Sequence, residues 1–496
     1  MQYAKTLAGG LIALAAAIAG AETGRIDNST LIPEILPDRE VKLEALSPGA
    51  TASPDWVKSM IIVEVNPSTA SSNGKITGMG PTLDHLAEMG VNGIWITPLQ
   101  ECRTYGGFGL HTLDPKLTGE KEMPERWARV REFVEEAHRR NIRVFFDVVS
   151  WGVTHRNNGG APLHKEKPEW FGPVIKQWNG WSYNWENAEL REWYTSRLVE
   201  MILVTGADGF RCDCAPDYAG YSIFGAARKR LLDLGRKVIF ISERSSSRNG
   251  VFDFDQLSFQ RNNERTPRAR RWVGEAFLEG NIVDMVKSGA ELVARDSDAE
   301  PGAFRFYTFQ LTCHDSHSFI ANGSPVVFGY QALFSPFIPL WFLGEEWNNP
   351  RRLEPNTWSY LNKVDWKLLD EKPHRDFFEL VKRMIRIRRL YPEIFEYFPA
   401  SIKESNICKV TTDHPGLLQA YARYRNGSAV LVVPNNGKTD AEFRIAIPYR
   451  EAGITGEQLA VRDLLGGKEL ASGKPDAFTA EIPAGMLGVY LVEAKR

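Results

Sequence analysis

Residues 56–395 predict an α/β chain closed into a (β/α)8 barrel. Three observations carry this. Short runs of β-branched and aromatic residues alternate with amphipathic helical stretches, as connected parallel strands do. Eight such runs can be counted, and eight units over about 340 residues favour a closed barrel over an open doubly wound sheet. Three of the later runs also end in a carboxylate, at the edge where barrel active sites are built.

In chain order, Met60–Val65 reads as the first strand and Thr82–Gly90 as a helix closed by Gly90. Val91–Thr97 is the second strand. Pro124–Arg140 is a helix with Trp127, Val130, Val134 and Ala137 on one face and a proline in its first turn. Ile142–Val149 is the third strand. Residues 150–185 break the rhythm and hold Trp151, Trp170, Trp178, Trp181 and Trp185. Helix Ala188–Thr205 follows, then the fourth strand, Ala207–Asp213. Lys237–Ser242 is the fifth and runs into Glu243. Val251–Phe259 is the sixth, Phe304–Leu311 the seventh, leading to His314-Asp315, and Phe337–Leu343 the eighth, ending at Gly344-Glu345-Glu346. Helix Asp376–Leu390 closes the series.

The chain ends differ from the barrel. Residues 1–21 read as a removed signal peptide: a short charged start, an apolar run from Thr6 to Gly20 too short to span a bilayer comfortably, and a small-x-small site at Ala19-Gly20-Ala21. A secreted or periplasmic location follows as an expectation. Residues 22–55 read as an extended lead-in. From 396 to 496 the strands lie close together, Asn426-Gly427 signals a hairpin, and Phe443, Ile445 and Ile447 alternate, which predicts an antiparallel β-sandwich domain. With 43% hydrophobic and 25% charged residues and a formal net charge of -2, composition points to neither a nucleic-acid partner nor a membrane surface. Five cysteines without regular spacing suggest no disulfide framework, and Cys212 and Cys214, which flank Asp213, read as small buried apolar residues rather than a metal site.

The chemistry centres on Gly209-Phe210-Arg211-Cys212-Asp213. Side chains alternate along a strand, so Arg211 and Asp213 share a face. The pair reads as a structural ion pair or as an ionised nucleophile whose pKa the arginine lowers. Asp213, Glu243 and Asp315 stand at the ends of the fourth, fifth and seventh strands. Three carboxylates in one cleft repel, so one is expected to hold a proton and serve as a general acid. The expected acid is Glu243, whose same-face neighbour on its own strand is the apolar Ile241. A nucleophile with an acid is the equipment of a retaining glycosidase.

From about residue 56 onward the chain resembles the α-amylase family, family 13 of the glycoside hydrolases. Gly209–Asp213 matches the family's fourth-strand motif, which implies Asp213 as nucleophile and Arg211 as its partner. Ile241-Ser242-Glu243 implies Glu243 as acid/base. Cys313-His314-Asp315 implies Asp315 as transition-state stabiliser and His314 as a sugar ligand. Asp147-Val148-Val149 matches the third-strand segment and Ile338-Pro339-Leu340 with Gly344-Glu345-Glu346 the eighth. Tyr105, nine residues before Asp114-Pro115, stands where the family has a sugar-stacking tyrosine. By the same resemblance, 150–185 is a short domain B and the sandwich is domain C.

Departures limit what transfers. Trp151-Gly152 stands where the family has Asn-His, so the usual calcium ligand and sugar-binding histidine are missing. His155 is the candidate replacement for the latter; no cofactor is expected, although calcium at other places stays open. Pro216-Asp217 replaces the common Lys-His beyond the nucleophile, and Arg244 follows Glu243. Two of the five tryptophans in 150–185 are expected to touch sugar, the rest to pack. The resemblance implies a secreted retaining α-glycoside hydrolase acting on α-glucans such as starch or on oligosaccharides. An α-glucan transglycosylase would use the same residues. A non-catalytic glucan-binding protein fits less well with an intact carboxylate trio.

Overall fold

The computed structural model describes residues 53–495 except 101–111, 155–159, 177–178, 214–219, 244–251, 256–282, 284–305, 315–318, 320, 335–336, 351–362, 398–404, 415–417 and 457. Eight parallel strands close on themselves: β1 (Ile62–Val65), β2 (Gly93–Ile96), β3 (Arg143–Val149), β7 (Gly209–Asp213), β8 (Ile239–Ser242), β9 (Phe254–Asp255), β10 (Phe306–Gln310) and β11 (Phe337–Phe342), with β11 pairing back to β1. All eight coincide with strands expected from the sequence, including the sixth, of which Phe254–Asp255 is described.

Strand parity sorts the side chains. Ile62, Trp95, Phe145, Ile239, Ile241, Ile338 and Leu340 fill the barrel interior with Cys313. The alternate residues, such as Val63, Ile94, Val144, Phe210 and Phe240, face the helices. These include α1 (Gly80–Met89), α2 (Met123–Arg139), α3 (Ala188–Thr205), α4 (Gly220–Asp233), α5 (Pro325–Leu333) and α6 (Lys372–Leu390). Gly90 ends α1 with φ +95°, a left-handed cap, and the Asn187 side chain caps α3 by accepting from Leu190 N–H. α3 is buried on nearly all sides, which is why it shows no polar face. Helices α4 and α5 are not among those read from sequence.

The tryptophan-rich interruption forms a three-stranded antiparallel sheet of β4 (Gly152–Thr154), β6 (Gly180–Tyr183) and β5 (Phe171–Ile175), in that order. The backbones of β4 and β6 approach so closely that a Cβ on Gly180 would lie 2.2 Å from the Val153 carbonyl oxygen. Trp151 and Trp170 are buried, whereas Trp181 and Trp185 are partly exposed. Trp181 stacks on His164 at 3.9 Å. Trp178 lies outside the described residues.

At the C-terminal end, a six-stranded sheet runs in the order β12 (Ile407–Lys409), β13 (Tyr421–Arg425), β14 (Ser428–Pro434), β19 (Leu487–Ala494), β16 (Leu459–Asp463), β17 (Glu469–Gly473). It faces the pair β15 (Ala441–Ala446) and β18 (Ala477–Ile482). Asn426 and Gly427 both take positive φ in the two-residue turn between β13 and β14, and Phe443, Ile445 and Ile447 point into the core between the sheets. The other face of the larger sheet, with Tyr421, Val430, Val432, Leu487, Val489 and Leu491, joins the apolar layer around the barrel. There α5 presses so near β19 that a Cβ on Gly329 would meet Leu487 Cδ2 at 2.1 Å.

Candidate active site

Four interior positions at the C-terminal ends of β3, β7 and β8 make one ion-paired cluster. Asp147 and Arg211 are register partners across β3 and β7, and Asp213 follows two residues on. Arg211 Nη1 donates to Asp213 Oδ1 at 2.7 Å and to both oxygens of Asp147 at 3.1 and 3.2 Å. Its Nη2 is paired with Glu243 Oε1 at 3.2 Å. The guanidinium also lies 4.7 Å from the Trp95 ring, whose Nε1–H donates to Asp147 at 2.8 Å. Arg211 and Asp147 have fully buried side chains, while those of Asp213 and Glu243 are 8% and 15% exposed, so these two carboxylates are the members within reach of a ligand.

The main chain that carries Asp213 is fixed as well. Ser150 Oγ donates to the Asp213 carbonyl at 2.7 Å, and the buried Tyr194 hydroxyl donates to the Val149 carbonyl at 2.8 Å. Register pairs Val149 with Asp213, so both bonds act at one rung of the barrel.

Two sequence expectations about charge need correction. Arg211 does share a face with Asp213, but it serves Glu243 too, because the end of β8 brings that carboxylate to the second nitrogen of the fork. Nor does Arg211 hold Asp213 below the ordinary carboxyl range. Burial pushes Asp213 up to about 8, and the Glu243 carboxylate adds to the rise against the lowering effect of Arg211. Burial beside neighbouring carboxylates thus keeps a proton on Asp213 near neutrality.

His314, expected as a sugar ligand, is buried beside the cluster, its ring standing nearly perpendicular to Trp95 at 5.7 Å. Its Nδ1 lies 2.7 Å from Glu64 Oε1, and its backbone N–H donates to Glu64 Oε2 at 3.0 Å. Asp315, Tyr105 and His155 lie outside the described residues, as do Pro216, Asp217 and Arg244. Sequence reasoning passed over Glu64 and gave Asp147 no role in the site. The available signal was the single acid in each of two largely apolar strands, at the parity of Ile62 and Phe145.

Among the described residues, one group has metal-ligand character: Glu64, Cys313 and His314, all buried and with donor atoms within 4.8 Å of one another. Glu64 already bonds His314 there, and Cys313 belongs to the apolar barrel interior. Cys212, Cys313 and Cys408 are buried. No helix among the described residues is long and apolar enough to cross a membrane.

The architecture defines the class first: a (β/α)8 barrel with carboxylates and an arginine at its C-terminal strand ends, a small sheet after β3 and a β-sandwich behind. No family model matches the chain. Alpha-amylase 2 of Dictyoglomus thermophilum is 28% identical over 167 residues, which cover 30% of this chain and 28% of that protein. Neopullulanase 2 of Thermoactinomyces vulgaris is 21% identical over 475 residues, covering 82% and 75%. The noncanonic maltogenic α-amylase AmyB from Thermotoga neapolitana superposes with a TM-score of 0.63 at 18% identity, over 89% of this chain and 100% of that one. The chain is thus a relative of the α-amylase family of glycoside hydrolases. Its matched stretches span only 18%, 28% and 37% of the first three curated relatives, alpha-amylase SusG of Bacteroides thetaiotaomicron being the shortest covered.

Proposed function

We propose that the protein is a glycoside hydrolase that cleaves α-glucosidic bonds in α-glucans or oligosaccharides with retention, through a covalent glycosyl-enzyme. The observation that carries this is one buried guanidinium holding Asp213 and Glu243 at the same barrel mouth. That arrangement suits the carboxyl separation of about 5–5.5 Å that retention requires. The curated relatives are named as glycosidases, and one similar solved α-amylase, from Geobacillus thermoleovorans, holds acarbose.

In this reading the single proton of the pair resides on Glu243 when substrate binds, and Asp213 attacks the anomeric carbon as the bond to the leaving oxygen breaks. Glu243 gives its proton to that oxygen and then takes one from the water that releases the sugar. Arg211 favours the charged form of Asp213 in the attack, and Asp315 and His314 complete the site toward the sugar. Export through the signal segment at 1–21 belongs to the same proposal, and N-terminal sequencing of exported protein tests it: the mature chain should begin near Glu22.

The test of activity is incubation with starch, pullulan, maltose, trehalose and sucrose, with product analysis and anomeric configuration by NMR. Release of α-anomeric sugars is the expected result. Release of β-anomers, or no turnover of any α-glucoside, overturns it. Products longer than the input would assign transfer in place of hydrolysis.

A further inference from the structure

Glu64 is a charge placed in a barrel interior that is apolar below it. It sits on β1 one step above Ile62 on the same face, with Trp95 and Phe342 as its lateral register partners. Its carboxylate is fully buried and both oxygens engage His314, one the backbone N–H and one ring Nδ1. β1 does not neighbour the strand that precedes His314: β11 lies between β1 and β10. The side chain therefore reaches over a strand to grip the segment that follows β10.

The same segment is gripped a second time. Glu345, also fully buried, accepts from the Thr312 hydroxyl and from Ala321 N–H, and Thr312 Oγ1 accepts Phe342 N–H at 3.0 Å. Residues 312–314 are thus held by two buried carboxylates, and the ring of His314 is braced against Trp95.

We propose that Glu64 is a positioning residue of the active site, acting through His314. Resting on the glycosidase reading, it keeps Nδ1 as the donor toward itself, so any bond from this ring to a sugar is made by Nε2. A glutamine in its place keeps the volume but offers one carbonyl to two N–H donors. Its amide N–H₂ must then face a donor, or the imidazole must change tautomer and present the wrong nitrogen.

The test is a double-mutant cycle of Glu64→Gln and His314→Ala, read as kcat and KM on maltooligosaccharides, with the low-field proton spectrum of each protein. Glu64→Gln should lower kcat on the order of 10²-fold, the scale seen when an imidazole loses its orienting carboxylate. In the His314→Ala background it should cost no more than about twofold further. Losses that multiply across the cycle, or a Glu64→Gln protein as active as the parent, overturn the proposal. An imidazole N–H resonance should be absent from His314→Ala and displaced in Glu64→Gln. An unmoved resonance in Glu64→Gln also overturns it, whether or not the parent turns over any glucan, so failure of the glycosidase reading stays separate. If Glu64→Gln does not fold, Glu64→Asp serves: it keeps the charge on a shorter arm and should fall between parent and His314→Ala in kcat. Parental kcat in Glu64→Asp together with an undisplaced resonance counts against the grip.

Discussion

Replacing Asp213 by asparagine should stabilise the protein at neutral pH while abolishing activity. In the folded state burial and Glu243 raise this carboxyl to about 8 from the ordinary 3.8, so near pH 7 the native protein must hold a proton that the unfolded chain has released. The cost runs at about 1.4 kcal/mol per pH unit over the roughly three units between 3.8 and 7, or about 4 kcal/mol. The sign follows from proton counting. The native state binds more protons than the unfolded one throughout this window, so the parent loses stability as pH rises, and the loss levels off above about 8. The uncharged amide of the Asp213→Asn variant carries no such cost. Arg211 keeps Asp147 and Glu243 as partners in the variant. Thermal melting from pH 4 to 9 should therefore show nearly equal midpoints at the acid end. The variant should gain an advantage that grows to several degrees by pH 8. A constant difference across the range, or a parent more stable than the variant at pH 8.5, would refute the reasoning.

Activity should decline above about pH 8, when the carboxylate pair loses the proton that the acid step needs, and a kcat/KM profile flat to pH 10 would contradict this. Glu243→Ala should lose on the order of 10²–10⁴-fold on natural glucans and less on an aryl glycoside, and azide should rescue it with formation of the α-glycosyl azide; the β product would mean the two carboxylates have exchanged roles. Gly180→Ala should destabilise the small sheet by about 1–3 kcal/mol or more, because backbone oxygen rather than a flexible side chain stands 2.2 Å from the new methyl; an unchanged melting point would show that the strands can part. A chelator should leave the melting temperature unchanged if, as the family resemblance implies, Trp151 stands in the place of a calcium-binding asparagine; a drop that calcium reverses would contradict this.

The barrel was legible because its signal is local. Each strand is a short, mostly apolar run, and Val251–Phe259 contains the paired residues Phe254 and Asp255. The pairing of Arg211 with Asp213 was legible for the same reason, two residues on one strand face. What sequence could not supply was the reach of side chains across strands. Glu243 meets Arg211 from β8, and Glu64 meets His314 over an intervening strand, contacts 32 and 250 residues apart in the chain. The charge state of Asp213 was misjudged on these grounds: one neighbour was visible in the sequence, whereas burial and a second carboxylate came only with the fold. Helix α3 was read at Ala188–Thr205 although its burial on nearly all sides removes the usual polar stripe.

The larger sheet of the C-terminal unit is greasy on both faces, one turned to its partner strands and one to α5 and the barrel. Such a unit is not a detachable tail. Trimming the gene near residue 396 would strip the cover from Tyr330 and Phe334, which now stand edge-on against Tyr421, and would leave Arg388 on α6 in a newly wetted seam. An enzyme shortened for convenience would lose solubility along with its sandwich, and its barrel would melt below the full chain.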